Sequence, residues 1–194
     1  MRRPDACGVQ YPGVAARDQV WVALLRGINL GRNRRIAMAD LRAAYEGAGC
    51  GDVRTYIASG NVVFTCETGV RGRGELAKRL EAAVEEACGV AAWVALRTAA
   101  EIAAVVDAHP FDDASSTYVT FLQAKPPAAA VKRLEALDVE PDLVAVKGAE
   151  VYVRYANGLA NGRLTGALLD KTLGVQGTNR NWRTVTRLAE MARA

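Results

Sequence analysis

The sequence predicts an α+β fold of two tandem β-α-β-β-α-β units, the second incomplete, followed by a C-terminal helix. Three observations carry this reading: short β-prone apolar runs alternate with segments of helical spacing, two glycine-marked hairpins stand at equivalent places in the two halves, and the last segment is strongly amphipathic.

The elements follow in order. Residues Val20 to Ile28 are apolar and β-prone apart from Arg26 and run into Gly27-Ile28-Asn29-Leu30-Gly31, so they read as a buried strand leaving into a loop. In Met38 to Ala48, Leu41, Ala44, Tyr45 and Ala48 recur at helical intervals, with Gly47 and Gly49 near the stop. Val53 to Ala58 and Val62 to Cys66 flank Ser59-Gly60-Asn61, a hairpin whose turn needs a residue tolerant of positive φ. Glu75 to Cys88 is a second amphipathic helix and Ala92 to Leu96 a fourth strand. That order is the ferredoxin-like unit. It returns downstream as a connecting helix over Ala99 to Ala108, a strand over Tyr118 to Gln123 and a helix over Ala128 to Leu137. A hairpin around Lys147-Gly148-Ala149-Glu150 and a helix over Leu164 to Leu173 complete the series. Only Val175-Gln176 is left to close the second unit, and the chain is expected to end in a helix opened by Thr178-Asn179-Arg180-Asn181-Trp182-Arg183. The expected division is a disordered extension over 1–19, units over 20–98 and 99–177, and the helical end over 178–194.

Hydrophobic residues make up 51% of the 194 and charged residues 24%, ordinary globular usage. No apolar run is long enough for a signal peptide or a membrane span. The four cysteines form no C-x-x-C pair and His109 is the only histidine, so no zinc site and no cofactor is expected, and scattered reduced thiols suit the cytoplasm. The net charge of +4 is unevenly spread: +3 over residues 20 to 54, −5 over 99 to 150 and +5 over 151 to 194.

Each basic block carries an arginine cluster at the expected start of a helix, Arg32, Arg34 and Arg35 in one and Arg180 and Arg183 in the other. A helix N-terminus is partly positive, so each such charge costs a few tenths to ~1 kcal/mol unless an anion compensates. In the last helix Trp182, Val185, Leu188, Ala189 and Ala192 share a core-facing stripe, while Arg180, Arg183 and Arg187 share the other side. Trp182 is therefore assigned to the core, not to base stacking. Pairing of these arginines with Asp112 and Asp113 is the electrostatic alternative to a bound anion. Lys147 to Tyr155 begins like an RNA-binding strand but has Ala149 and Val151 where stacking aromatics are needed, which disfavours that mode. His109, beside two acids, reads as a cap or surface residue, and Ser59 and Thr165 have no evident base.

The runs Val22 to Asn29, Met38 to Arg42, Val53 to Ile57, Ser59 to Phe64 and Gly177 to Val185 together closely resemble the bacterial domain of unknown function 1697 family. The resemblance extends from about Val20 to Leu188. It implies a two-part ferredoxin-like fold, a small cytoplasmic bacterial protein and no established activity. The family pattern emphasises Arg26, Gly27, Asn29, Ser59, Gly60, Asn61, Thr178, Arg180, Asn181 and Trp182. Where similar members show Ser-Lys, this chain has Gly162-Arg163, a change that retains a cation but loses a hydroxyl.

The expected ligand site therefore comprises Arg26, Asn29, Arg32, Arg34, Arg35, Ser59, Asn61, Arg163, Arg180, Asn181 and Arg183. These would bind a phosphate-bearing ligand, either a nucleic-acid backbone or a phosphorylated metabolite. The alternatives are an enzyme acting on a small anionic substrate in an inter-unit cleft lined by Arg26, Asn29, Asn61 and Arg180, and self-association of acidic middle with basic ends.

Overall fold

The computed structural model describes residues 19–29, 35–66 and 72–194. The extension expected over 1–19 falls outside the described residues except for Gln19, and Arg32 and Arg34 also lie outside them.

The first half runs β1 (Gln19–Arg26), α1 (Met38–Gly47), β2 (Gly51–Tyr56), β3 (Asn61–Cys66), α2 (Arg73–Cys88) and β4 (Trp93–Thr98). Then α3 (Ala99–Asp107) leads to β5 (Thr117–Leu122), α4 (Ala128–Glu135), β6 (Leu143–Lys147), β7 (Glu150–Arg154), α5 (Gly166–Leu173), β8 (Gly177–Asn181) and α6 (Trp182–Arg193). The fold is α+β, with two four-stranded antiparallel sheets ordered β2-β3-β1-β4 and β6-β7-β5-β8.

Alternation along the strands assigns the faces. Trp21, Ala23 and Leu25 of β1 join Val62 and Phe64 of β3 against Leu41 of α1 and Leu80 and Val84 of α2. Val22 and Leu24 turn the other way, with Val63 and Ala95, and meet Val119, Phe121 and Tyr152 of the second sheet. Ile102 of α3 and Val185 and Leu188 of α6 share that middle layer. The far face of the second sheet packs Leu122, Val151 and Val153 against Leu134 of α4 and Leu169 and Leu173 of α5. Burial on both faces is why β1 reads as an unbroken apolar run.

Local signals set the boundaries. Thr98 and Glu101 form a reciprocal cap at the start of α3, the Glu101 N–H donating to Thr98 Oγ1 at 3.2 Å and the Thr98 N–H to Glu101 Oε2 at 2.8 Å. In the first hairpin Gly60 takes φ +76, and a Cβ there would lie 2.7 Å from Ile28 Cδ1 and 2.8 Å from Leu25 Cβ, so glycine is required twice over.

The second half departs from expectation. It is not incomplete, because β8 pairs with β5 from Tyr118↔Asn181 to Leu122↔Gly177. The stretch Thr178 to Asn181 is accordingly a strand, and the last helix starts at Trp182. Polarity hid this strand, since three of its five residues are Asn or Arg. It is held by packing and side-chain hydrogen bonds: a Cβ on Gly177 would meet Thr120 Cγ2 at 2.5 Å and Leu122 Cδ2 at 2.9 Å. Asn181 caps α6, its Oδ1 accepting from the Thr184 N–H at 2.8 Å. Replacing Asn181 by alanine should cost about 1 kcal/mol, read as a lower urea midpoint with an unchanged m-value. The stripe in α6 is as expected: Val185, Leu188, Ala189 and Ala192 are buried and Trp182 packs against the same cluster.

Candidate functional site

Arg180 sits near the middle of β8 facing the first sheet, with its residue 6% exposed. Its Nε donates to Asn61 Oδ1 at 2.5 Å, and Nη1 donates to Thr178 Oγ1 and the Asn179 carbonyl, both at 2.8 Å. Nη2 reaches the carbonyls of Leu25 at 2.7 Å, Ser59 at 2.9 Å and Gly60 at 3.2 Å. Burial pushes its ionisation down to about 10, so the guanidinium stays charged at neutral pH. Arg180 is thus no helix-mouth residue on a surface shared with Arg183 and Arg187. It is a buried fork whose donors are engaged by neutral acceptors, and it ties β8 to the end of β1 and the first hairpin.

Its expected companions are also engaged. Arg26 donates from Nη2 to Asp170 Oδ2 at 2.6 Å and from Nη1 to the Gly177 carbonyl at 2.5 Å. Asp170 Oδ1 in turn accepts from the Gly177 N–H at 3.0 Å, so this pair anchors the start of β8. Asn29, at φ +55, donates to the carbonyls of Ala58 at 2.6 Å and Ile36 at 3.2 Å and accepts from the Ile36 N–H at 2.8 Å. Asn61 donates to the Tyr56 carbonyl and to Ser59 Oγ, each at 2.9 Å. Arg26, Asn61, Ser59 and Arg180 are brought together as a junction between the sheets, and Asn29 braces the adjoining loop.

The rest are scattered. Arg35 is exposed ahead of α1, which has no side-chain cap, and Arg183 is exposed in the first turn of α6. Arg163, also exposed, lies 3.3 Å from Asp138 Oδ2. Asp112 and Asp113 pair with none of the arginines among the described residues; Asp113 accepts from the Ser115 N–H at 2.8 Å and from its hydroxyl. His109 is half-buried, its ring 4.3 Å from that of Trp182 and beside Phe111, with Nε2 3.4 Å from Thr117 Oγ1. It is packed rather than exposed.

A different place has the shape of a site. A cleft of about 720 Å³ opens between α2 and β4 of the first half of the chain, α3, and the β5 end and β6–β7 hairpin of the second half. None of Arg26, Asn29, Asn61 and Arg180 lines it. Its charged lining comprises Arg73, Lys78, Arg97, Lys125 and Lys147 with Glu81, Glu101 and Glu150.

All three carboxylates are already engaged. Glu150 Oε1 lies 2.7 Å from Arg97 Nε, with side chains 15% and 7% exposed. Arg97 also donates to the carbonyls of Leu96 at 2.9 Å and Leu122 at 3.0 Å. Glu101 Oε1 pairs with Arg73 at 2.6 Å. Burial pushes the Glu101 carboxyl up, but the Arg73 hydrogen bond and the Thr98 amide outweigh it and hold the group below its ordinary value. Glu81 Oε1 accepts from the Val94 N–H at 2.9 Å. Lys147 donates to the Ala108 carbonyl at 2.7 Å, and Lys78 and Lys125 make no ion pair among the described residues. Such a cleft can attract and hold an anion.

Sequence reading missed these residues because they come from five elements and the loop after β5. One signal was available: Arg97 interrupts the apolar strand Trp93-Val94-Ala95-Leu96, and a charge in a buried strand demands a partner. The arginine at a helix start does recur here, since Arg73 opens α2, whose start likewise has no side-chain cap.

No helix among the described residues is long and apolar enough to cross a membrane. No curated protein matches the chain. In fold it is similar to the structure of conserved bacterial protein SP0830 from Streptococcus pneumoniae, with a TM-score of 0.68 at 21% identity over 91% of this chain and 99% of that one. The sequence matches a family pattern over residues 19–152, from β1 into β7, and the chain therefore belongs to the family described as Protein of unknown function (DUF1697).

Proposed function

We propose that the protein binds a small phosphate-bearing ligand in the cleft between two ferredoxin-like units. The observation that carries this reading is the charge state of the cleft: its carboxylates are engaged by protein donors, while Lys78 and Lys125 have no acidic partner among the described residues. The volume of about 720 Å³ lies in the range of small-ligand sites, which favours a phosphorylated metabolite over a nucleic-acid backbone. The tandem ferredoxin-like reading is supported by the matching sheet orders, in which the first strand of each unit lies between its third and fourth. Arg35 and Arg183 lie outside the cleft lining and contribute only to the general field that attracts an anion. Cys50, Cys66 and Cys88 are not joined to one another by disulfides, which suits the reducing cytoplasm.

Titration with inorganic phosphate and a panel of nucleotides and sugar phosphates at low salt, followed by amide chemical shifts, tests this. Shifts should cluster around Lys78, Lys125 and the β6–β7 hairpin. Each charge-assisted hydrogen bond is worth about 1.5–3 kcal/mol, so Lys78→Glu or Lys125→Glu should weaken binding at least ~tenfold. No cleft shift with any member of the panel would sink the reading.

A further inference from the structure

Away from the cleft, two thiols meet in the core of the first unit. Cys50 immediately precedes β2 and Cys66 ends β3, and in that antiparallel pair Gly51 stands opposite Thr65. The approach is close, since a Cβ on Gly51 would meet Thr65 Oγ1 at 2.8 Å. Continuing the register by one residue sets Cys50 opposite Cys66, with both side chains on the other face of the sheet. Both do lie in the cluster with Leu80, at 7% and 3% exposure. Directly opposed antiparallel residues have Cα atoms about 4.5–5.5 Å apart, inside the ~4.4–6.8 Å that a disulfide spans.

The pair is polarised. Arg79 of α2 donates from Nη2 to Cys66 Sγ at 2.9 Å, placing positive charge on that side. Burial, and then the neighbouring Cys66, push the Cys50 thiol up to about 12, so Cys50 keeps its proton. Arg79 is itself exposed, so one side chain links Cys66 to solvent. Burial and then Asp40 push the Cys88 thiol up as well.

We propose that Cys50 and Cys66 form a peroxide-sensitive dithiol site that closes to a disulfide, with Cys66 as the attacking sulfur. Cys66 attacks one oxygen of hydrogen peroxide; the O–O bond breaks, and the departing hydroxide takes the Cys66 proton to become water, leaving a sulfenic acid. The Cys50 sulfur then attacks Cys66 Sγ, the S–O bond breaks, and the second hydroxide leaves with the Cys50 proton as water. Two electrons pass from the thiols to the peroxide. The disulfide joins the start of β2 to the end of β3.

The full chain, treated with hydrogen peroxide under native conditions, alkylated and digested without reduction, should yield a linked Cys50–Cys66 peptide with the mass of two hydrogens lost. A reducing thiol should reverse it. Cys50→Ser should leave Cys66 trapped as a sulfenic acid that a dimedone probe labels, whereas Cys66→Ser should abolish both the link and labelling at Cys50. Because either variant could be misfolded, the unsubstituted chain supplies its own comparison. The proposal is overturned if Cys88 oxidises while Cys50 and Cys66 stay reduced, or if the link forms no faster than global unfolding measured by hydrogen exchange. Equal labelling in the two serine variants would overturn the assignment of Cys66 as attacking group.

Discussion

Replacing Arg180 by alanine should lower the unfolding free energy by about 2–5 kcal/mol, a large share of a typical domain's stability. The side chain joins residues about 120 positions apart, as with Asn61 and Gly60 at separations of 119 and 120. Two of its acceptors keep another donor when it goes: the Gly60 carbonyl accepts from the Leu25 N–H at 2.8 Å, and the Leu25 carbonyl from the Thr178 hydroxyl at 3.2 Å. Asn61 Oδ1 and the Ser59 carbonyl have no other donor among the described residues, and each orphaned acceptor costs about 1–3 kcal/mol. A cavity adds to the loss, while the desolvation cost of a buried charge is recovered. Arg180→Met fills the cavity without restoring the donors, so it should fall between alanine and the original. Arg183→Ala, on the exposed face of α6, should stay within about 0.5 kcal/mol. Chemical denaturation compares them directly. If the alanine variants at 180 and 183 unfold at the same urea concentration, Arg180 is not the tie described above.

Glu150→Gln should move stability and ligand affinity in opposite directions. Glu150 is the charge partner of Arg97, whose side chain is 7% exposed, and removing one member of a buried pair costs about 3–5 kcal/mol. An amide oxygen can still accept from Arg97 Nε, so a loss of about 2–3 kcal/mol is expected. The same change removes one of three carboxylates from the cleft and leaves its five cations in place. Affinity for inorganic phosphate should therefore rise several-fold. A denaturation curve and a phosphate titration on one variant read both effects. Lower stability with unchanged or weaker phosphate binding would count against the cleft as an anion site.

Most elements were legible because their burial is periodic and local. β1 is apolar on consecutive positions because it is covered on both faces; α2 and α6 carry their apolar stripes at helical spacing; and Gly60 marked a turn that needs positive φ. β8 was not legible, because its inward residues Thr178 and Arg180 are polar and its register depends on β5, more than fifty residues earlier. The sequence reading runs the last helix through Asn181 instead of capping it there, since a polar strand running straight into a helix has the composition of a helix start.

The candidate site divides along the same line. By itself the sequence determined which elements form apart from β8, that the positive charge lies at the two ends of the chain, and that Trp182 belongs to the core, because propensity, charge and face depend on neighbours within a few residues. Only the tertiary structure decided what the charges do. It turned Arg180 inward onto carbonyls of the first half, gave Arg26 to Asp170 at a separation of 144 residues, and gathered Lys78 of α2, Lys147 of β6 and Lys125 of the loop after β5 around one cleft. The physical reason is that a guanidinium or ammonium takes its role from whatever acceptors folding brings within about 3 Å, and those acceptors lie far away along the chain.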